Sequence, residues 1–436
     1  MSDYIGANSR LAAWERPLWN CLFAAVCVLA LWLRLTNPPV TKRSPDEHYY
    51  TYYAEQVLHA PLEAPRNLVS RYNHASGSWT YPIPLRVAHY YSVAGIMAIF
   101  RIGAEPAGVA LSTACSILQF ACVAVVGLRL FGRWPTLCAL AMLTVSPEDL
   151  AMARRDWGDS VSAAVAMLLI LLGVEIIRRP RPTAWFVAFC VAGTYLVLVK
   201  ETGGIFFGLC VLGLAIHSWL MHRSWRRLAA IGLYAILSAA CAFLIMTTLC
   251  GGVSAALETI HHSAQAVSAS TFGIMYQEGP WYSIVQALFC LSPISVLFAG
   301  VAAASCLFSR KANQIEEVLS FDRRNRYVGI ALAAIVVLII AAITMAPALK
   351  NLRYISFVLG PFYLLAGLGL AYLPALLLRS RQRRFFLPVA LLFAAGLTIS
   401  CALDYLQFRH VFVQSNVNDL DIRQIIDFSG NRYGFH

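Results

Sequence analysis

The stretch 84–103, PLRVAHYYSVAGIMAIFRIG, decides how this chain is threaded. It is apolar enough to span a bilayer, yet it carries Arg86, His89, Tyr90, Tyr91 and Arg101 and follows the proline-rich Tyr81-Pro82-Ile83-Pro84. Charged and aromatic residues in that mixture suit a helix lying at the membrane surface. Whether the stretch crosses reverses the orientation of every segment after it.

The surrounding composition fixes the solvent. A chain of 436 residues with 59% hydrophobic and 13% charged residues and a mean hydropathy of +0.64 is not a soluble globular protein. Apolar runs long enough to cross about 30 Å of hydrocarbon recur at 17–35, 107–128, 134–150, 160–177, 183–199, 203–221, 228–249, 283–307, 328–347, 354–375 and 385–403. The first follows a polar leader and precedes no small-residue cleavage site, so a retained helix is expected and not a signal peptide.

Charge settles the threading. If 84–103 stays on the surface, the short loops carrying Arg129 and Arg133, Arg178, Arg179 and Arg181, Arg223, Arg226 and Arg227, Arg310 and Lys311, and Arg379 to Arg384 all share one side with the amino terminus. Lys and Arg in short loops are retained in the cytoplasm, and on this threading the whole basic excess of the chain, whose net charge is +12, lies on that side. The expectation is an all-α polytopic membrane protein, one domain over 1–436, with eleven spanning helices and the amino terminus inside. The outer face receives a first loop of about 36–106 with juxtamembrane helices, a connection at 150–159, a loop at 250–282 and a tail at 404–436. The basic excess reads as a topology signal and contact with anionic lipid, not nucleic-acid binding.

On this threading, charged residues from distant parts of the chain collect at the outer boundary. Ser44-Pro45-Asp46-Glu47 has the form of a capping box, which accounts for Glu47 and lets Asp46 complement a helix dipole. Arg154-Arg155-Asp156-Trp157-Gly158-Asp159 packs two arginines and two aspartates into one short connection. The planar fork of arginine suits a phosphate, and neighbouring carboxylates stay ionised through charge pairing. Lys200-Glu201 falls between two spans with almost no loop, and Lys350 and Arg353-Tyr354 open another on the side where cations are disfavoured. A bound anion is one reason for cations to be there. The tail segment Asn418-Asp419-Leu420-Asp421-Ile422-Arg423 has the pattern of an amphipathic helix.

These residues resemble the GT-C glycosyltransferases, and among them glycosyltransferase family 39, the protein mannosyltransferase and aminoarabinose transferase group. The resemblance rests on Arg34 closing the first span, Asp46-Glu47, Tyr81-Pro82-Ile83-Pro84-Leu85, Leu130-Phe131-Gly132-Arg133, Arg155 with Asp159, Leu198-Val199-Lys200-Glu201 and Arg353-Tyr354, in that order along the chain. It implies a GT-C-like bundle and transfer of a hexosyl or pentosyl unit from a polyprenyl-phosphate donor, with inversion, at the extracytoplasmic face of a bacterial inner or plasma membrane. Asp46 would then be the catalytic base, and Arg154, Arg155, Lys200 and Arg353 would hold the donor phosphate. Glu47, Asp156, Asp159, Glu201 and Tyr354 would touch the sugar or support those groups. The lack of a sizeable soluble domain after the last span favours a lipid-linked saccharide or a surface glycan over a folded protein as acceptor.

No cofactor is expected to be required. Divalent ions assist some relatives, but His261-His262 lacks carboxylate spacing and the twelve cysteines fall mostly within spans, as apolar filler. The rival reading is a transporter or flippase of lipid-linked saccharides, which would show internal repeats and charges near the bilayer midplane.

Overall fold

The computed structural model describes residues 2–36, 43–75, 82–179, 182–268, 270, 273–308, 323–345, 350–378, 386–415, 417 and 419–433, and among these the regular structure is helical. The helices are α1 (Ser2–Thr36), α2 (Pro45–His59), α3 (Ala64–Asn73), α4 (Val87–Phe100), α5 (Ala104–Leu130), α6 (Arg133–Thr144), α7 (Pro147–Ala153), α8 (Gly158–Arg178), α9 (Thr183–Val199) and α10 (Gly203–His222). They continue with α11 (Trp225–Cys250), α12 (Val253–Ser268), α13 (Ser283–Leu291), α14 (Pro293–Phe308), α15 (Arg323–Met345), α16 (Leu359–Leu378), α17 (Phe386–Gln407) and α18 (Ile422–Tyr433). Several of the loop cations that set the threading, Arg181, Arg310, Lys311 and Arg379 to Arg384, lie outside the described residues, as do Tyr81 and Asn418.

Among the described residues, eight helices are long and apolar enough to cross a membrane, and ten if each of two bent pairs counts as one span. The expected eleven is reached if α9, a shorter apolar helix of 17 residues, is counted with them. The two bent pairs correct the expectation of straight spans at 134–150 and 283–307. α6 and α7 meet at 57°, and α13 and α14 at 117°. Pro147 and Pro293 each begin the second member, where proline disfavours helical backbone in the residue before it and has no amide to donate to the preceding turn.

Helix α4 has only 14 residues, about 21 Å of rise, well short of the hydrocarbon thickness. It packs against α2, α5 and α9 and ends at Arg101 in a left-handed turn.

The core of the bundle is α8 and the segment Leu352–Ala371, whose apolar windows are 83% and 94% buried, whereas the corresponding windows of α1 and α11 are about a fifth buried. α8 sits against α5, α9 and α10, and α16 against α6 and α14. The two buried elements begin at Asp159 and Arg353, so their charged starts are carried to the same end of the bundle by the best-packed helices in the protein.

Candidate active site

The first turn of α2 supplies two acids with different surroundings. The Glu47 carboxylate accepts the Ser44 amide at 2.7 Å, which completes the reach-back half of the expected capping box. The same carboxylate also accepts Arg155 Nη1 and the Asp156 amide, each at 3.2 Å, so the cap fastens α2 to the connection between α7 and α8. Burial pushes the Glu47 carboxyl above its ordinary range, with Arg155 pulling the other way. Asp46 faces outward from that cluster, keeps about a fifth of its side chain exposed, and takes Arg353 Nη1 at 2.9 Å on Oδ2.

Trp157 holds the second cluster in place. Its ring lies between two guanidinium groups, with Arg155 Cζ 4.5 Å and Arg353 Cζ 4.9 Å from the centroid. Its Nε1 donates to Ser44 Oγ at 3.1 Å. Burial lowers the Arg155 pKa against the attraction of Glu47 and Asp419. Asp156 turns the other way and places Oδ1 3.2 Å from Nε2 of the fully buried His89. Gly108 in α5 makes room for that carboxylate: a Cβ there would come within 2.1 Å of Asp156 Cγ. Arg154 is half-buried and forms no ion pair among the described residues, so of the adjacent arginines only Arg155 is built into the network.

Lys200 ends α9 and is almost fully buried, its ammonium on Asp159 Oδ1 at the first turn of α8. Tyr354 lies under it, 4.7 Å from Nζ to the ring centroid, and Phe357 is 5.6 Å away. Burial pushes the Lys200 pKa down, while Asp159 pulls it up. Glu201 points to the rim, where Arg86 grips both of its oxygens at 2.6 and 2.9 Å and donates to Tyr50 Oη at 2.6 Å.

The carboxyl-terminal segment closes the site and corrects the expectation of a helix over 418–423. Helix α18 starts only at Ile422; Asp421 forms an isolated antiparallel bridge with Asn351, and Leu352 donates its amide to Leu420 at 2.9 Å. Asn351 Nδ2 donates to Asp419 Oδ1 at 3.1 Å and to Asp421 Oδ1 at 3.0 Å, and Gln277 Nε2 donates to Asp421 Oδ1 at 2.6 Å. Asp419 Oδ1 is also 3.0 Å from Arg353 Nε. Backbone pairing with Asn351 is what the helical pattern did not foresee. Lys350 is likewise corrected: its ammonium goes to the carbonyls of Gly279 and Pro280 in the neighbouring loop, and no anion is needed to explain it.

The structure therefore brings Asp46, Glu47, Arg155, Asp159, Lys200, Arg353 and Tyr354 into one network, with Asp156 and Glu201 one bond outside it. Arg86, His89, Trp157, Gln277, Asn351, Asp419 and Asp421 were missed. Among the described residues no three His, Cys, Asp or Glu side chains are grouped closely enough to hold a metal ion, and His262 instead sets its ring edge-on to Tyr72 at 5.4 Å.

The sequence matches no protein-family model and no curated protein. Its fold is matched among solved structures. ArnT from Cupriavidus metallidurans in the apo state is 14% identical with a TM-score of 0.51, over 96% of this chain and 78% of that one. The oligosaccharyltransferase of Archaeoglobus fulgidus in its apo form is 11% identical with a TM-score of 0.58, over 97% of this chain and 60% of that one. The same archaeal enzyme, AglB, in complex with an inhibitory peptide and a dolichol-phosphate is 12% identical with a TM-score of 0.50. This chain spans about three fifths of the oligosaccharyltransferase's length. The fold is the one these structures share, an all-helical bundle whose longer helices are apolar enough to cross a membrane.

Proposed function

We propose that this protein is a membrane glycosyltransferase that moves a sugar from a polyprenyl-phosphate donor to a hydroxyl acceptor at the extracytoplasmic face, with inversion at the anomeric carbon. The observation that carries the reading is the convergence of Asp46, Arg155, Lys200 and Arg353, from four distant parts of the chain, at one end of a GT-C bundle. A similar solved structure in complex with a dolichol-phosphate supports a lipid-phosphate donor.

The chemistry follows from charge. An acceptor oxygen attacks the sugar C1, the bond from C1 to the phosphate oxygen breaks, and its electron pair leaves with the lipid phosphate. The acceptor proton passes to a carboxylate within hydrogen-bond reach, the role assigned to Asp46, the more exposed of the two acids at the start of α2. Arg353, Lys200 and Arg155 stabilise the phosphate charge that develops, with Arg154 at the edge of the same turn. In the structure each of the three is held by an acid, Arg353 by Asp46 and Asp419, Lys200 by Asp159 and Arg155 by Glu47. An incoming phosphate would compete with Asp46 for Arg353 and so release the Asp46 carboxylate as the donor seats. A single displacement of this kind inverts C1. On this reading the chain's own cations serve the leaving group; a lipid-linked saccharide or surface glycan is the acceptor class, and hexosyl and pentosyl donors both fit the chemistry.

The test is transfer of labelled sugar from a polyprenyl-phosphate donor by the purified protein in lipid. Transfer that Asp46→Asn abolishes while the protein stays folded supports the reading. Movement of an intact lipid-linked saccharide across the bilayer without sugar transfer would replace it with the transporter alternative.

A further inference from the structure

The opposite end of the bundle carries a second built cavity. α8 runs from Asp159 at the site to Arg178, and α10 from Gly203, three residues past Lys200, to His222, so the turn from α10 to α11 lies at the far side from the site. Two spaces meet there. One, about 440 Å³, opens between α8, α10 and α15 and is lined almost wholly by apolar side chains, among them Leu169, Leu209, Cys210 and Ile335. The other, about 300 Å³, adjoins it towards the bundle end and has a mixed lining, in which Thr183, His217, Ser218, His222, Arg226 and Arg227 are the polar members among mostly apolar side chains. Ile177, Leu214 and His217 border both.

The polar groups of this second space are arranged for an anion. Arg226 and Arg227 have no carboxylate partner among the described residues. They stand in the first turn of α11, after the Ser224 cap, and Thr183 opens α9 beside them, so two helix amino termini adjoin the same space. Ser218 lines it with a hydroxyl that finds no hydrogen-bond partner although the residue is only 7% exposed. Trp219 and Trp225, with ring centroids 4.8 Å apart, sit at the turn as interfacial aromatics do. Basic pockets between spanning helices bind anionic lipid headgroups, and an apolar pocket continuous with one has room for an acyl chain.

We infer that this joined cavity binds one anionic phospholipid of the adjacent leaflet, its phosphate on Arg226 and Arg227 and an acyl chain between α8, α10 and α15. The site is separate from the transferase network and does not depend on that reading.

The full chain is purified in mild detergent and its retained lipid is extracted and counted. Wild type is expected to keep phosphatidylglycerol in preference to phosphatidylcholine, and R226A/R227A to lose about tenfold of it, with Arg226→Lys/Arg227→Lys keeping most. A second measurement needs only wild type: added phosphatidylglycerol raises Tm, and neither phosphatidylcholine nor inorganic phosphate alone does so. Equal retention by a folded R226A/R227A protein overturns the proposal, as does equal stabilisation by phosphatidylcholine or inorganic phosphate.

Discussion

Arg353 reaches Asp46 across 307 positions of sequence and donates to its carboxylate at 2.9 Å. The bond joins the start of one of the best-buried segments to the first turn of a surface helix, and it couples the proposed base to a proposed phosphate ligand.

Replacing Asp46 with Asn keeps a hydrogen-bond acceptor for Arg353 and removes the proton acceptor. Sugar transfer is expected to fall by at least about a hundredfold, the ordinary worth of a positioned general base, with Tm close to that of wild type. Residual activity near the wild-type level in a folded Asp46→Asn protein would remove Asp46 from the mechanism.

Lys200 and Asp159 are both almost fully buried, so removing one strands the other. Lys200→Met should destabilise the protein by about 3–5 kcal/mol. The double variant Lys200→Met/Asp159→Asn should recover much of that loss, because no uncompensated charge remains, yet stay inactive. Thermal denaturation and transfer assays on the same preparations separate the two effects.

Trp157 has two tasks that different substitutions divide. Trp157→Phe keeps an aromatic face for Arg155 and Arg353 but loses the bond to Ser44, at a cost of about 1 kcal/mol. Trp157→Ala loses the packing as well, about 3–5 kcal/mol. A donor KM that rises in the Ala variant much more than in the Phe variant would show that the stacked guanidiniums need the ring to hold their positions.

Burial, and then the neighbouring Asp419 charge, raise the Asp421 carboxyl to about 8. Its folded pKa lies above its unfolded one, so the stability it contributes is fully present below about 4, declines across the window between the two, and is gone once pH has risen through about 8. Tm should therefore decline from pH 6 to pH 9 in wild type, and Asp421→Asn should flatten that decline. An identical slope in both proteins would mean that Asp421 does not carry the proton.

The spans were legible because they follow from a rule of one dimension, the length of the apolar runs. Glu47 was read as a cap and is one, but its second role needed the third dimension: Arg155, 108 positions away, approaches the same oxygen that takes the Ser44 amide. His89 and Arg86 were seen only as residues unsuited to a span, since nothing in their spacing reveals Asp156 or Glu201 as partners. Asp419 and Asp421 were read as part of an amphipathic helix, but two apart is the spacing of one strand face, and the segment pairs its backbone with Asn351. The bends at Pro147 and Pro293 had a visible signal, the proline within each apolar run.

Synthesis proceeds from the amino end, and Asp419 and Asp421 follow α17 along the chain. Arg353 thus acquires its second acid only after every spanning helix before it has left the ribosome. The pairing of Asn351 with Asp421 can form only once the segment after α17 has been made, so Arg155 and Lys200 precede the second acid of Arg353 in the order of synthesis.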